Sequence, residues 1–175
     1  DSSFRPVVPV RIAKTFLDKN NYIISAAKLK THDAVVVTLS LKNIVVGSII
    51  KGDKGNVHQG TKETNHNIFL LAKMGIKPDL AVIDGFVGME RNGPVSGEPI
   101  DVGVAIASTD FLAADRVAVE VMGVDFEKIG YLNYCAQAKM GETDLKKIEI
   151  VGEKLENCKK KFKLHSTVKD QYEWK

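Results

Sequence analysis

A chain of 175 residues with 44% apolar content can bury a core of ordinary domain size, and its two cysteines, Cys135 and Cys158, show neither a CxxC nor zinc-ligand spacing, which argues against a disulfide framework or a structural zinc site. The net charge of +3 is too small to argue for nucleic acid, and no apolar run approaches the roughly 20 residues that span a bilayer. The expectation is a cytoplasmic chain in a reducing compartment, a single α/β domain over residues 1–175, with neither nucleic acid nor membrane as partner; DSSFRPVVPV lacks both a signal-peptide pattern and an initiating methionine and reads as the start of a fragment or processed form.

The first apolar run, YIISAA (Tyr22 to Ala27), predicts a strand buried on both faces, as in a parallel sheet. It runs directly into KLKTH, where Lys28, Lys30 and His32 alternate and share a face if the backbone stays extended. Solvating lysines that flank an apolar strand are the bland reading of this stretch. TLSLKNIVVG then sets Lys42 and Asn43 among apolar neighbours, and a lysine in such surroundings needs a partner. Val46 to Gly60 reads as a long irregular loop carrying His58, and Thr61 to Gly75 as a helix with Thr61 as N-cap and Gly75 as its stop. GNVHQGTK within this region imitates a phosphate-binding P-loop. Its Thr61-Lys62 order is the reverse of the required one, which puts the lysine about 100° away around the helix.

DLAVID (Asp79 to Asp84) is the next strand, and it places Asp84 at the carboxyl end where ligands of open α/β sheets bind. The stretch Gly85 to Glu98 reads as a second long loop, with Gly85 and Gly93 allowing backbone to approach a ligand. VGVAIAS predicts a strand, Asp110 to Gly123 a helix, Phe126 to Met140 a helix ending at Gly141, and KIEIVG (Lys147 to Gly152) a late strand. A basic solvated tail, residues 154–175, closes an α/β fold with a mostly parallel sheet flanked by helices.

Charge is unevenly spread. Between Lys28 and Lys62 six lysines face two aspartates, and between Asp79 and Asp125 nine acids face two arginines. The basic block beside an acidic, glycine-rich block predicts a crevice for a small anionic ligand. His32 is then the candidate acid or base, Lys30 and Lys42 stabilise developing negative charge, and Lys28, Thr31, Asn43, His58, Gly85 and Gly93 line the ligand. Asp84 with Glu90 is the candidate pair for a divalent metal, with Asp110 and Asp115 as further oxygen donors. A racemase or isomerase using His32 and His58 as opposed acid and base is a weaker alternative.

The ordered series KLKTH, TLSLKNIVVGSI, HQG, PDLAVIDGFVGMERNGP, TDFLAADRVAVEVMG, IGYL, GETDL and IEIVGE resembles the domain of unknown function 362 family, from about Ala26 to Glu153. The resemblance implies a core used in proteins often fused to ferredoxin-type modules, hence a ferredoxin-like domain or protein as partner and a redox-associated role, catalytic or not. The family pattern falls on Lys28, Lys30, Thr31, His32, Lys42, Asn43, Gly47, Asp84, Gly85, Glu90, Gly93, Pro94, Asp110 and Asp115. With two distant cysteines, this chain by itself is not expected to ligate an iron-sulfur cluster.

Overall fold

The computed structural model of the chain describes residues 8–175. A four-stranded mixed sheet is assembled from β1 (Ile24–Thr31), β2 (Val37–Thr38), β3 (Leu80–Glu90) and β4 (Glu98–Ser108) in the order β2-β1-β3-β4. The central pair, β1 and β3, is parallel, and β2 and β4 run antiparallel on its flanks. The helices are α1 (Ser40–Gly47), α2 (Thr61–Lys73), α3 (Phe111–Val121), α4 (Gly130–Gln137), and the short α5 (Leu155–Cys158) and α6 (Val168–Gln171). This is an α/β fold, with the parallel centre that the strand, helix, strand pattern predicts.

Helices cover one face of the sheet. Helices α1 and α3 lie against the central strands, with α2 and α4 packed together beyond them. Ser25, Ala27, Leu29 and Thr31 of β1 point into this core, as do Ala81 and Ile83 of β3. The opposite face stays open, so YIISAA is buried on one side only, and Ile24 keeps 54% of its surface exposed. The strand also extends through KLKT, because alternation rather than unbroken apolarity is what a one-sided sheet requires.

Half of the predicted loop Gly85 to Glu98 is strand. Strand β3 continues to Glu90 across a bulge between Gly85 and Val87, and β4 starts at Glu98. Gly85 is closely packed: a Cβ there would lie 2.9 Å from a Val104 methyl and 3.0 Å from a Leu29 methyl. KIEIVG forms no strand. The amides of Lys147 and Ile148 are engaged by the carbonyl of Asp144 in a turn, which withholds them from a sheet, and Val151 is 86% exposed. The predicted helix from Phe126 to Met140 is divided into a short 3-10 turn (Phe126–Lys128) and α4. The N-cap of α2 is Gly60, not Thr61, and no side chain caps it.

A groove of about 650 Å³ lies between β4, α3 and the segment 148–158, lined by Val104, Ile106, Val117, Ile150, Leu155 and Cys158 among others. It contains none of the residues singled out as a site.

Candidate functional site

The sequence candidates separate into three locations. Lys28 and Asp84 are register partners on β1 and β3, and both point to the open face, where Lys28 Nζ meets Asp84 Oδ2 at 2.6 Å. That hydrogen bond, together with the Phe86 amide, holds the Asp84 carboxyl below its ordinary value. Glu90 turns to the covered side and is buried, where its Oε2 accepts from the Lys163 amide at 2.8 Å with Lys163 Nζ 3.7 Å from Oε1. Asp84 and Glu90 thus have separate partners, and among the described residues no group of three or more His, Cys, Asp or Glu gathers to hold a metal.

The second location is the hairpin tip. Thr31 is buried and donates from Oγ1 to the Arg91 carbonyl at 2.9 Å, and Lys30 Nζ donates to the Pro94 carbonyl at 3.3 Å. Gly93, which precedes Pro94 through a cis bond, packs directly on Thr31; a Cβ there would run into the Thr31 carbonyl oxygen and stand 2.7 Å from its Oγ1. Because the obstacle includes backbone, Gly93→Ala is expected to lower stability by about 2 kcal/mol in urea denaturation. Asn43 joins α1 to β1, its Nδ2 donating to Ser25 Oγ at 3.2 Å. That is a positioning role.

The third location centres on His32, which lies beside His58 and feels the charges of Lys42 and of Lys30 from the hairpin tip. Helix α1 has Leu39 at its N-cap, which offers no side-chain acceptor. Asp115 supplies one from α3: its Oδ1 accepts from the Ser40 amide at 2.8 Å and its Oδ2 from Leu41 at 3.1 Å. Lys42 follows in the first turn of α1, on the covered side, 6% exposed. Burial, opposed by Asp33 and helped by Lys30 and Lys54, brings its amine down to about 8. The helix dipole also disfavours a cation at this end. Among the described residues no hydrogen bond or ion pair engages the Lys42 amine.

His32 ends the β1 turn and is 2% exposed. The turn is held by its amide donating to the Val36 carbonyl at 2.8 Å, and by Gln171 Oε1 accepting the Val36 amide at 2.6 Å. Val36 carries φ 68, a left-handed value that a β-branched residue adopts at a cost on the order of 1–3 kcal/mol. Burial first, then the charges of Lys42, His58, Lys30 and His165, push the His32 imidazole down to about 2. Two groups compete for its Nδ1, the Ala34 amide at 2.9 Å and Asp33 Oδ1 at 2.9 Å. Only a protonated ring would attract the carboxylate, and burial among cations forbids that ring, so the amide contact decides. His32 is neutral with its proton on Nε2.

The ring of His58 stacks near that of His32, with centroids 6.2 Å apart and planes 17° from parallel. His58 Nδ1 lies 2.9 Å from the Lys54 carbonyl, which can only accept, so Nδ1 carries a proton. The two rings therefore differ at Nδ1, which accepts in His32 and donates in His58. Sequence reading missed Lys54 and Asp33, though both sit within stretches it examined. It had no local signal for His165, which arrives from the tail, or for the capping by Asp115.

The profile of the family described as "Domain of unknown function (DUF362)" matches residues 5–120, more than half of the chain. The chain belongs to the DUF362 family. All four residues of the cationic corner, and Asp115 beneath it, fall inside this region. A thylakoid-associated protein of Synechocystis sp. is 30% identical over 135 residues, which is 75% of this DUF362 chain and 41% of that protein. The chain thus spans less than half the length of the curated relative it matches. No solved structure matches it. Among the described residues, no helix is long and apolar enough to cross a membrane.

Proposed function

We propose that this DUF362 chain binds a small anion of the carboxylate or phosphate type at the corner formed by Lys30, His32, Lys42 and His58. The supporting observation is Lys42: a residue 6% exposed whose amine feels Lys30 and Lys54 as well as Asp33, with no hydrogen bond or ion pair to it among the described residues. A buried charge left unpaired is costly, and a ligand that supplies the missing negative charge recovers that cost on binding. The half-buried Lys30, whose amine burial also pushes down, would share the anion. In a catalytic version, His58 Nε2 takes a proton while the neutral His32 Nε2–H donates to the oxygen that gains charge. These unequal roles suit the pair better than a symmetric two-histidine racemase, which needs both rings to pass through imidazolium.

Titration calorimetry with inorganic phosphate and with acetate at neutral pH tests the reading. Binding is expected in the wild type, weakened by added salt, reduced in Lys30→Met and lost in Lys42→Met. Ligand at 100 times its dissociation constant should raise stability by about 2.7 kcal/mol. Equal heats from wild type and Lys42→Met would sink the idea.

A second reading is favoured by the open sheet face. Ile24 and Phe86 are exposed there, Phe86 to 74%, around the Lys28–Asp84 pair. In that reading the face docks a ferredoxin-like protein, which itself carries the iron-sulfur cluster. Phe86→Lys would then abolish co-purification with such a partner while leaving phosphate binding intact.

A further inference from the structure

We propose that the groove beside β4 docks an extended peptide, apolar at alternate positions and basic at its ends, which adds a strand to the free edge of the sheet. The groove shares no residue with the cationic corner, so the two sites stand or fall separately. The two edges of the sheet differ. Strand β2 is cut to 2 residues, whereas β4 runs for 11 and pairs only with β3. Between Val104 and Ser108 it carries neither a charge nor a proline, the devices that keep an edge from pairing. Consecutive residues of β4, Val102 through Ser108, line the groove although their side chains alternate between faces. The groove therefore reaches the backbone of the strand and not merely one row of side chains.

The opposite wall is built the same way. Glu149, Ile150 and Val151 make no backbone hydrogen bond among the described residues, and none joins them to β4. Unpaired N–H and C=O groups on both sides are what an extended chain laid between them would bond. Its side chains follow from the lining. Val104, Ile106, Val117 and Leu155 offer apolar contact to every second residue, and the small Ala105 and Ala107 leave the residues between them free to face solvent. Glu149 and Glu153 are the charged residues of the lining, and among the described residues no lysine, arginine or histidine accompanies them there. Lysine or arginine at the ends of the peptide complements that charge. A strand residue advances about 3.3 Å, lies about 4.8 Å from the next strand and fills a layer about 10 Å thick, about 160 Å³ in all, so a groove of 650 Å³ admits about four residues.

Three fluorescein-labelled peptides test the site on the intact chain: KVTVTVK, the charge-reversed EVTVTVE, and KVTPTVK, whose proline removes a central N–H. In fluorescence anisotropy the wild type is expected to bind KVTVTVK saturably, EVTVTVE several-fold more weakly and KVTPTVK not at all. Glu149→Lys, at an exposed position, should reverse the order of the first two. Bound KVTVTVK should also slow hydrogen exchange several-fold at the outward amides between Val104 and Ser108 while leaving β2 unchanged. Failure of KVTVTVK to bind, equal binding of the proline peptide, or unaltered exchange along β4 would each overturn the strand addition. A concentration-dependent dimer in sedimentation, protecting the same amides without peptide, would assign the edge to a second copy and overturn it as well.

Discussion

Asp115→Ala is expected to cost about 3 kcal/mol of unfolding free energy in mildly acidic buffer, because it orphans two buried amides at once. Asp115 is fully buried on α3, and its two oxygens take the Ser40 and Leu41 amides that open α1. Leu39, at the N-cap, has nothing to offer in exchange, and water cannot follow into a site with no exposed surface. Burial raises the Asp115 carboxyl to about 7, although both amides pull the other way. We take desolvation as the winner, since the side chain is completely enclosed. The sign follows: a folded-state value of about 7 against an ordinary 3.8 means that the aspartate's contribution is full below about pH 4 and is lost as pH rises to about 7. The gap between wild type and Asp115→Ala, followed by urea denaturation at several pH values, should therefore narrow toward neutrality. Asp115→Asn, which keeps one acceptor, should fall between them and abolish the pH dependence. The same substitution loosens the turn that carries Lys42, so phosphate binding should weaken with it.

That dependence shows why the site was only partly legible in the sequence. KLKTH, Lys42 and His58 announced a concentration of cations, and charge density is a local property that a single sequence displays. The chemistry of Asp115 lies in amides 75 and 74 positions away, and no motif connects them. Asp84 was grouped with the same crevice because it ends an apolar run, but its side chain obeys strand alternation and emerges on the open face beside Lys28. Glu90 is taken by Lys163, 73 positions later, from a tail that composition marked as solvated. The fold was read through the same limits. Apolar spacing and terminal glycines located α2 and α3 closely, since helix period and stop are encoded within one turn. The strands were cut short where lysines and glycines interrupt apolar runs. In a sheet covered on one face those residues simply alternate outward, or, like Gly85, fit where a methyl would not.

Lys42→Met is expected to act in the opposite direction to Asp115→Ala, stabilising the chain by about 3 kcal/mol at pH 7 while removing anion binding. The amine lies at about 8 instead of 10.5, and each unit of displacement is worth about 1.4 kcal/mol, so the folded chain without ligand bears about 3 kcal/mol of disfavoured charge. Methionine matches the lysine stem in length and fills the same space without that charge. Since the folded value lies below the unfolded one, the wild type carries the full cost below about pH 8 and is relieved of it as pH rises toward 10.5. The two unfolding curves should accordingly be furthest apart at neutral pH and converge in alkaline buffer. Saturating phosphate should close the same gap at pH 7, because it pairs the charge in the wild type and finds nothing to pair in the variant. A residue that lowers stability at every pH where the cell operates, and whose cost is relieved by an anion, is poorly explained by packing alone. If Lys42→Met proved destabilising at pH 7, the amine would have to be engaged by a partner of its own, and the anion site would lose its foundation.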